Sequence, residues 1–355
     1  MSDAEPNGAY RTLDGLRGVA ALIVVTRHAG DVVPGELCPE SFLAVDLFFL
    51  LSGFVVALAY EQRLLAGRSL AGFMKTRLIR LYPLYALGIG LGLAARVATG
   101  GALDVMFLIE AVVIGLLMLP AIPPLPMGSS TLNGPTWTLA PELLVNLVYA
   151  ALVRRLSRPA LWVVVGTGAL GLVASEAVYG TLDGGWSVDR FPLLAARLAF
   201  SFFLGVAMHR NPPPRRVGAL AAWASLAALG FCLAIHPAEA MRRLFELGAV
   251  IGLFPAIVAV AIRREPGPIG GAAFRFLGLV SYAVYVLHQP LGALTGVALT
   301  RLHGPAGPTA VTAVAFLAAI VVAAALADKL YDQPVRRRLS TLWPRRNVAL
   351  EEQVA

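Results

Sequence analysis

At 355 residues the chain has length for two or three soluble domains, but 58% of its residues are hydrophobic, only 14% are charged and the mean hydropathy is +0.74. A soluble domain carries about 25% charged residues, so a water-exposed globular protein is excluded and a bilayer is the natural solvent. The formal net charge of +8 does not point to nucleic acid, because the basic residues fall in short clusters between apolar runs and not on one face. Cys38 and Cys232 stand far apart without metal-ligand spacing, and no metal is expected.

Apolar segments of spanning length, about 17–25 residues, recur along the chain. The candidates are 13–33, 41–61, 81–99, 139–153, 159–178, 191–209, 216–235, 244–262, 276–300 and 309–327. The expected fold is all-α: a polytopic membrane helix bundle of about ten transmembrane helices, forming one integral-membrane domain over 1–340 with a short polar tail, 341–355. The first apolar run contains Arg17, Arg27 and His28, which does not suit a cleavable leader. Basic clusters at 63–80, 154–158, 210–216, 263–275 and 329–346 alternate with loops richer in acid. By the positive-inside rule both termini are expected in the cytoplasm, which sets the chain in the inner membrane of a cell.

The segment 104–119 complicates this count. If it crossed alone, every later basic cluster would face outward. It is followed by a stretch rich in Pro, Gly and Ser, so 104–138 is expected to enter and leave on one side as a re-entrant or pore-lining element; a plain extracytoplasmic loop is the alternative.

Ionisable residues inside spans are costly and mark candidate sites. On the first span Asp14, Arg17 and His28 share one helical face, with His28 about 16 Å above Arg17. Asp46, near the outer end of the second span, lies at the height of His28 and could orient its ring. Ser52 and Gly53 in the same span suit close helix approach. Glu142 opens the fourth span just after Trp137 and beside the 128–137 loop. Ser281, Tyr285 and His288 form a second polar stripe. Arg77 and Arg80, three apart at the end of the 62–80 loop, would present paired guanidiniums able to hold phosphate, or else serve as a headgroup anchor.

In this order the landmarks resemble the acyltransferase-3 family of membrane acyltransferases. They are Arg17 and His28, VDLFFLLSGF (45–54), RLIRLYP (77–83), WTLAPELLVNLVYA (137–150), SYAVYVLHQPL (281–291) and YDQPVRRRL (331–339). The resemblance implies transfer of an acyl group, often acetyl from acetyl-CoA, to a hydroxyl of a carbohydrate. It also implies that Arg17, His28, Arg77 and Arg80 are needed for activity. Departures are Thr138, Ala140 and Pro141 in the pattern Trp-Ser-Leu-Ser-x-Glu, Val145-Asn146 for a Phe-Tyr, and Asp332-Gln333-Pro334 for a Glu-x-Pro.

The mechanism expected from these residues has His28 as general base or acyl carrier, with Asp46 or Glu142 orienting it and Arg17 steadying developing charge. Arg77 and Arg80 would hold the donor's phosphates; Asp14, Ser52, Trp137, Tyr285 and His288 complete the expected binding set. Acyl-CoA, a carbohydrate acceptor and the lipid bilayer are the expected partners; oligomeric state is open. The competing reading is a proton-coupled transporter or flippase whose polar stripes line a path for a sugar.

Overall fold

The computed structural model describes residues 10–35, 37–100, 104–122, 128, 130–211, 214, 216–304 and 307–342. Part of the Pro-rich stretch (123–127 and 129) and most of the expected polar tail (343–355) lie outside the described residues. The chain folds as an all-α bundle. Its helices are α1 (Arg11–His28), α2 (Ala44–Leu65), α3 (Leu70–Ala98), α4 (Val105–Leu116), α5 (Leu139–Leu152), α6 (Arg158–Tyr179) and α7 (Phe191–Arg197). There follow α8 (Phe203–Arg210), α9 (Ala219–Ala234), α10 (Glu239–Leu247), α11 (Phe254–Arg263), α12 (Gly267–His303), α13 (Ala310–Ala327) and α14 (Gln333–Thr341). A short parallel pairing of Arg216–Val217 with Arg264–Glu265 is the one two-stranded sheet among the described residues.

Local chemistry sets the helix ends. The Ser69 and Ser157 hydroxyls accept from backbone N–H groups in the first turns of α3 and α6, and Thr309 with Thr312 forms a capping box on α13. Ser69 also corrects one expectation. The basic run 75–80 is not in a loop but on the first turns of α3, because the helix starts at that cap and nothing breaks it before Arg80. Three rods are continuous through a π-helical turn: α7 to α8 at Leu198–Phe202, α10 to α11 at Gly248–Leu253, and α13 to α14 at Asp328–Asp332.

Seven helices among the described residues are long and apolar enough to cross a membrane by length and composition. Helices α1, α5 and α9 also occupy expected spans; α1 carries Arg11, Asp14, Arg17 and Arg27, while α5 and α9 have 14 and 16 residues. Helix α4 has only 12 residues, about 18 Å of rise against a hydrocarbon core of about 30 Å. It folds back along α3 and ends beside the middle of it, where Tyr82 and Tyr85 donate to the carbonyls of Leu116 and Gly115. The segment 131–138, which ends in a 3-10 turn at Gly134–Thr138, then threads between α3 and α12, with Asn133 buried and its amide donating to the Val286 carbonyl at 2.8 Å. The irregular backbone is thus buried in protein, the condition under which such backbone is tolerated at membrane depth.

Close packing rests on glycine at two crossings. A Cβ on Gly53 of α2 would strike the backbone of Phe202, and one on Gly278 of α12 would strike the side chain of Asp14 on α1. The first contact draws α2 against the π-turn after α7, where Asp46 meets Arg197. Both side chains are 1% exposed. The Arg197 guanidinium donates to Asp46 at 2.7–3.1 Å, and the Ser201 hydroxyl donates to Asp46 at 3.3 Å.

A buried ion pair is costly to break from one side, because the remaining charge has no water to turn to. Arg197→Ala should therefore lower stability by about 3–5 kcal/mol, read as a fall in melting temperature of the purified protein. Arg197→Leu combined with Asp46→Leu should recover most of that loss.

Candidate functional site

At the crossing of α1, α2, α3, α5 and α12 the bundle holds a partly open cavity of about 160 Å³. Its polar lining is Arg17 from α1, Ser52 from α2, Arg77 and Arg80 from α3, Thr138 and Glu142 at the head of α5, and Ser281, Tyr282 and Tyr285 from α12. Phe48, Val55 and Leu139 contribute to its apolar wall. With Glu142 facing three arginines, the lining carries excess positive charge and favours an anionic or strongly polarised guest.

The groups are held by one another. Glu142 Oε1 accepts from Arg77 at 2.6 Å and from the Ser52 hydroxyl at 3.0 Å. Ser52 and Gly53 therefore do separate jobs, one facing the cavity and the other admitting the π-turn. Arg17 donates from Nε to the Ser281 hydroxyl at 2.9 Å, and from one terminal nitrogen to Asp14 at 3.0 Å and the Gly278 carbonyl at 2.8 Å. The Tyr285 hydroxyl donates to the Pro135 carbonyl at 2.6 Å and shares a 2.9 Å hydrogen bond with Thr138, tying the 131–138 segment to α12. Arg80 stands at the edge: its guanidinium lies over the Tyr282 ring at 5.4 Å, and it reaches Asp332 at 3.4 Å.

His28 does not line this cavity. It sits farther along α1, half-buried, with its ring centroid 5.6 Å from that of His288; His288 in turn is 6.2 Å from Tyr285, which does line the cavity. His288 is fully buried, its Nδ1 lies 3.0 Å from the Val284 carbonyl, and Nε2 has no hydrogen-bond partner among the described residues. An Nδ1 at that distance from a carbonyl carries a proton and donates it. Beyond His28, Arg27 pairs with Asp183 at 2.7 Å. A file of polar and aromatic side chains thus runs along the α1–α12 seam from Arg17 and Ser281 through Tyr285 and His288 to His28.

Two expectations are corrected. Asp46 does not orient His28, because Arg197 and Ser201 take its carboxylate. Glu142 does not do so either, since it belongs to Arg77 and Ser52. Trp137 lies outside the cavity lining, its ring 5.9 Å from the Arg197 guanidinium, whereas its neighbour Thr138 faces in. Sequence reasoning passed over Arg197. The available signal was an arginine in the apolar run 191–209, which needs an acid on another span. It also passed over the buried Glu61, which joins Tyr149 at 2.6 Å and Arg210 at 3.0 Å.

Comparison with known proteins follows this geometry. A family model described as an acyltransferase domain matches residues 10–328, which include every side chain lining the cavity. The chain belongs to the acyltransferase-3 family. A relative from Rhizobium radiobacter, named "Protein 2 in picA locus", is 39% identical over 193 residues, spanning 50% of this chain and 100% of that protein. No solved structure matches. Family membership and the long apolar helices together make the chain a multi-pass membrane acyltransferase.

Tyr285→Phe should remove the hydroxyl that holds the 131–138 segment to α12. The expected cost is about 0.5–1.5 kcal/mol, that of a lost intramolecular hydrogen bond. Faster amide exchange at 131–138, with α9 unchanged, would be the local readout.

Proposed function

We propose that this protein is an O-acyltransferase of the cytoplasmic membrane that moves an acyl group, acetyl in the first instance, from acyl-CoA to a hydroxyl of a carbohydrate on or bound for the cell surface. The observation that carries the reading is the succession of side chains along the α1–α12 seam, with Arg77, Arg80 and Arg17 at the cationic cavity and Tyr285 and His288 standing between it and His28.

In this mechanism the donor enters from the Arg80 end and its thioester reaches past Tyr285, while the acceptor enters from the Asp183 end. His28 takes the proton of the sugar hydroxyl as its oxygen attacks the thioester carbonyl. A tetrahedral oxyanion forms, the carbon–sulfur bond breaks, and the imidazolium returns the proton to the departing CoA thiolate. A neutral imidazole suits both steps because its unprotonated ring nitrogen can accept the hydroxyl proton and the imidazolium can return it. His288 would support His28 through its unprotonated Nε2. Arg17, fixed by Asp14, Ser281 and the Gly278 carbonyl, offers a preorganised positive charge to the donor arm at little reorganisation cost. Arg77 and Glu142 would form the cavity wall that the arm passes.

The test is transfer of label from acetyl-CoA to a panel of glycans, using membranes that hold the wild type beside His28→Ala. The variant should lose at least 10³-fold in transfer, consistent with general-base contributions of about 10²–10⁴ plus a lost proton return, and should melt within a few degrees of the wild type. Transfer at wild-type rate would remove His28 from the chemistry. Uptake of unmodified sugar without CoA release would replace the enzyme with a transporter.

A further inference from the structure

Resting on the acyltransferase reading with His28 as base, we propose that Arg27 and Asp183 select the acceptor: they form a latch at the outer end of the α1–α12 seam that opens to a sugar and keeps water from the thioester. A general base does not tell a sugar hydroxyl from water, and water is the more abundant nucleophile. Attack by water would join its oxygen to the acyl carbon, break the carbon–sulfur bond and release a carboxylic acid and the CoA thiol. Selection between the two nucleophiles must therefore come from access to the base.

The loop that supplies Asp183, residues 180–190 between α6 and α7, is fixed on both sides of it. On one side the Leu182 N–H and the Thr181 hydroxyl donate to Glu246 at 2.6 and 3.0 Å, and Leu182 and Glu246 are both fully buried. On the other side the Trp186 indole donates to the Met118 carbonyl at 2.9 Å, and the Trp186 carbonyl accepts from the Ala121 N–H at 2.9 Å. Of the three residues between these anchors, Asp183, Gly184 and Gly185, only the first has a side chain with which to hold anything. It reaches back to α1, where Arg27 donates to it at 2.7 Å. Arg27 directly precedes His28, and its charge and that of Asp183 both act on the His28 ring. The pair thus ties the free middle of the loop to the end of α1 that carries the base.

A latch must hold and also yield. Arg27 is steadied independently by the Pro39 carbonyl at 2.7 Å and by the Phe42 ring 5.3 Å from its guanidinium, so it stays aimed at the loop. Asp183 spends only Oδ2 on Arg27, and the two side chains are 24% and 42% exposed. An ion pair that reaches water opens at small cost, whereas the sealed Asp46–Arg197 pair does not. Sugar hydroxyls donate and accept at once, so one can accept from Arg27 while its neighbour donates to Asp183. Separate water molecules lack that linkage, and contacts from the rest of the glycan drive opening for the sugar alone.

The test follows hydrolysis of labelled acetyl-CoA in the absence of any glycan, by the full chain in phosphatidylcholine nanodiscs. The wild type should hydrolyse slowly, and Asp183→Ala and Arg27→Gln should each raise the rate by roughly tenfold or more as water gains access. Adding His28→Ala to Asp183→Ala should return the rate to background, an outcome that a merely structural pair does not predict. Asp183→Glu, which can remake the pair, should stay close to the wild type. Asp183→Asn keeps an acceptor for Arg27 and serves as the folding-safe variant, with a smaller rise. Hydrolysis unchanged or lowered in folded Asp183→Asn and Arg27→Gln would overturn the latch while leaving acyl transfer in place. A rise that persists without His28 would overturn it too, because the water admitted would not be reaching the base. If the wild type transfers acetyl to no glycan and no variant releases CoA, the acyltransferase reading itself fails.

Discussion

A charged side chain buried in this bundle has little water to turn to, and much of the fold is arranged around that constraint. Arg17 pairs with Asp14, Arg27 with Asp183, Arg77 with Glu142, Arg197 with Asp46, Arg210 with Glu61, and Arg336 with Asp332. Several of these bonds join different rods: α3 to α5, α2 to α7, and α2 to α8. In an apolar medium a lone ion costs several kcal/mol or more, so each pair excludes arrangements of the helices that would separate its members. Hydrophobic contact alone distinguishes poorly between such arrangements, because lipid tails are as apolar as the side chains they would replace.

The pairs differ in what surrounds them, and the difference separates scaffold from site. Asp46 and Arg197 are sealed between α2 and the π-turn, with Ser201 taking a further lone pair; this pair holds the helices in place. Arg77–Glu142 and Arg17–Asp14 are bound just as directly, yet Arg77, Glu142 and Arg17 each present a surface to the cavity. A charge already fixed by the protein can stabilise charge developing in a guest with little rearrangement. The same bonds that stabilise the bundle therefore preorganise the cavity.

The helical class, the approximate positions of the rods and the residues of the cavity were legible in the sequence because apolar runs of spanning length and charges within them leave strong one-dimensional signals. Arg17, Ser52, Glu142 and Tyr285 were found by asking which polar groups sit where water does not. What the sequence left hidden was pairing. Asp46 has a plausible partner in His28 when only height along a span is known; that it belongs to Arg197 depends on the close crossing at Gly53, a three-dimensional fact. The beginning of α3 was also obscured, since a basic cluster reads as a loop until the Ser69 cap shows the helix already under way. The separation of His28 from the cavity by Tyr285 and His288 could not be read from helical spacing either, because spacing reports which face a residue is on and not what stands in front of it.

The π-turn at Asp328–Asp332 has a consequence for comparing this chain with others. A wider turn places one more residue per turn than an α-helix, and each residue of α-helix corresponds to about 100° of rotation. The heading of Arg336 and Arg337 around the axis of α14 thus depends on a single-residue irregularity upstream. In a homologue with a regular helix at that point, arginines aligned letter for letter with these would face a different neighbour. Equivalence at the end of such chains is better judged by the direction a side chain takes than by its column in an alignment.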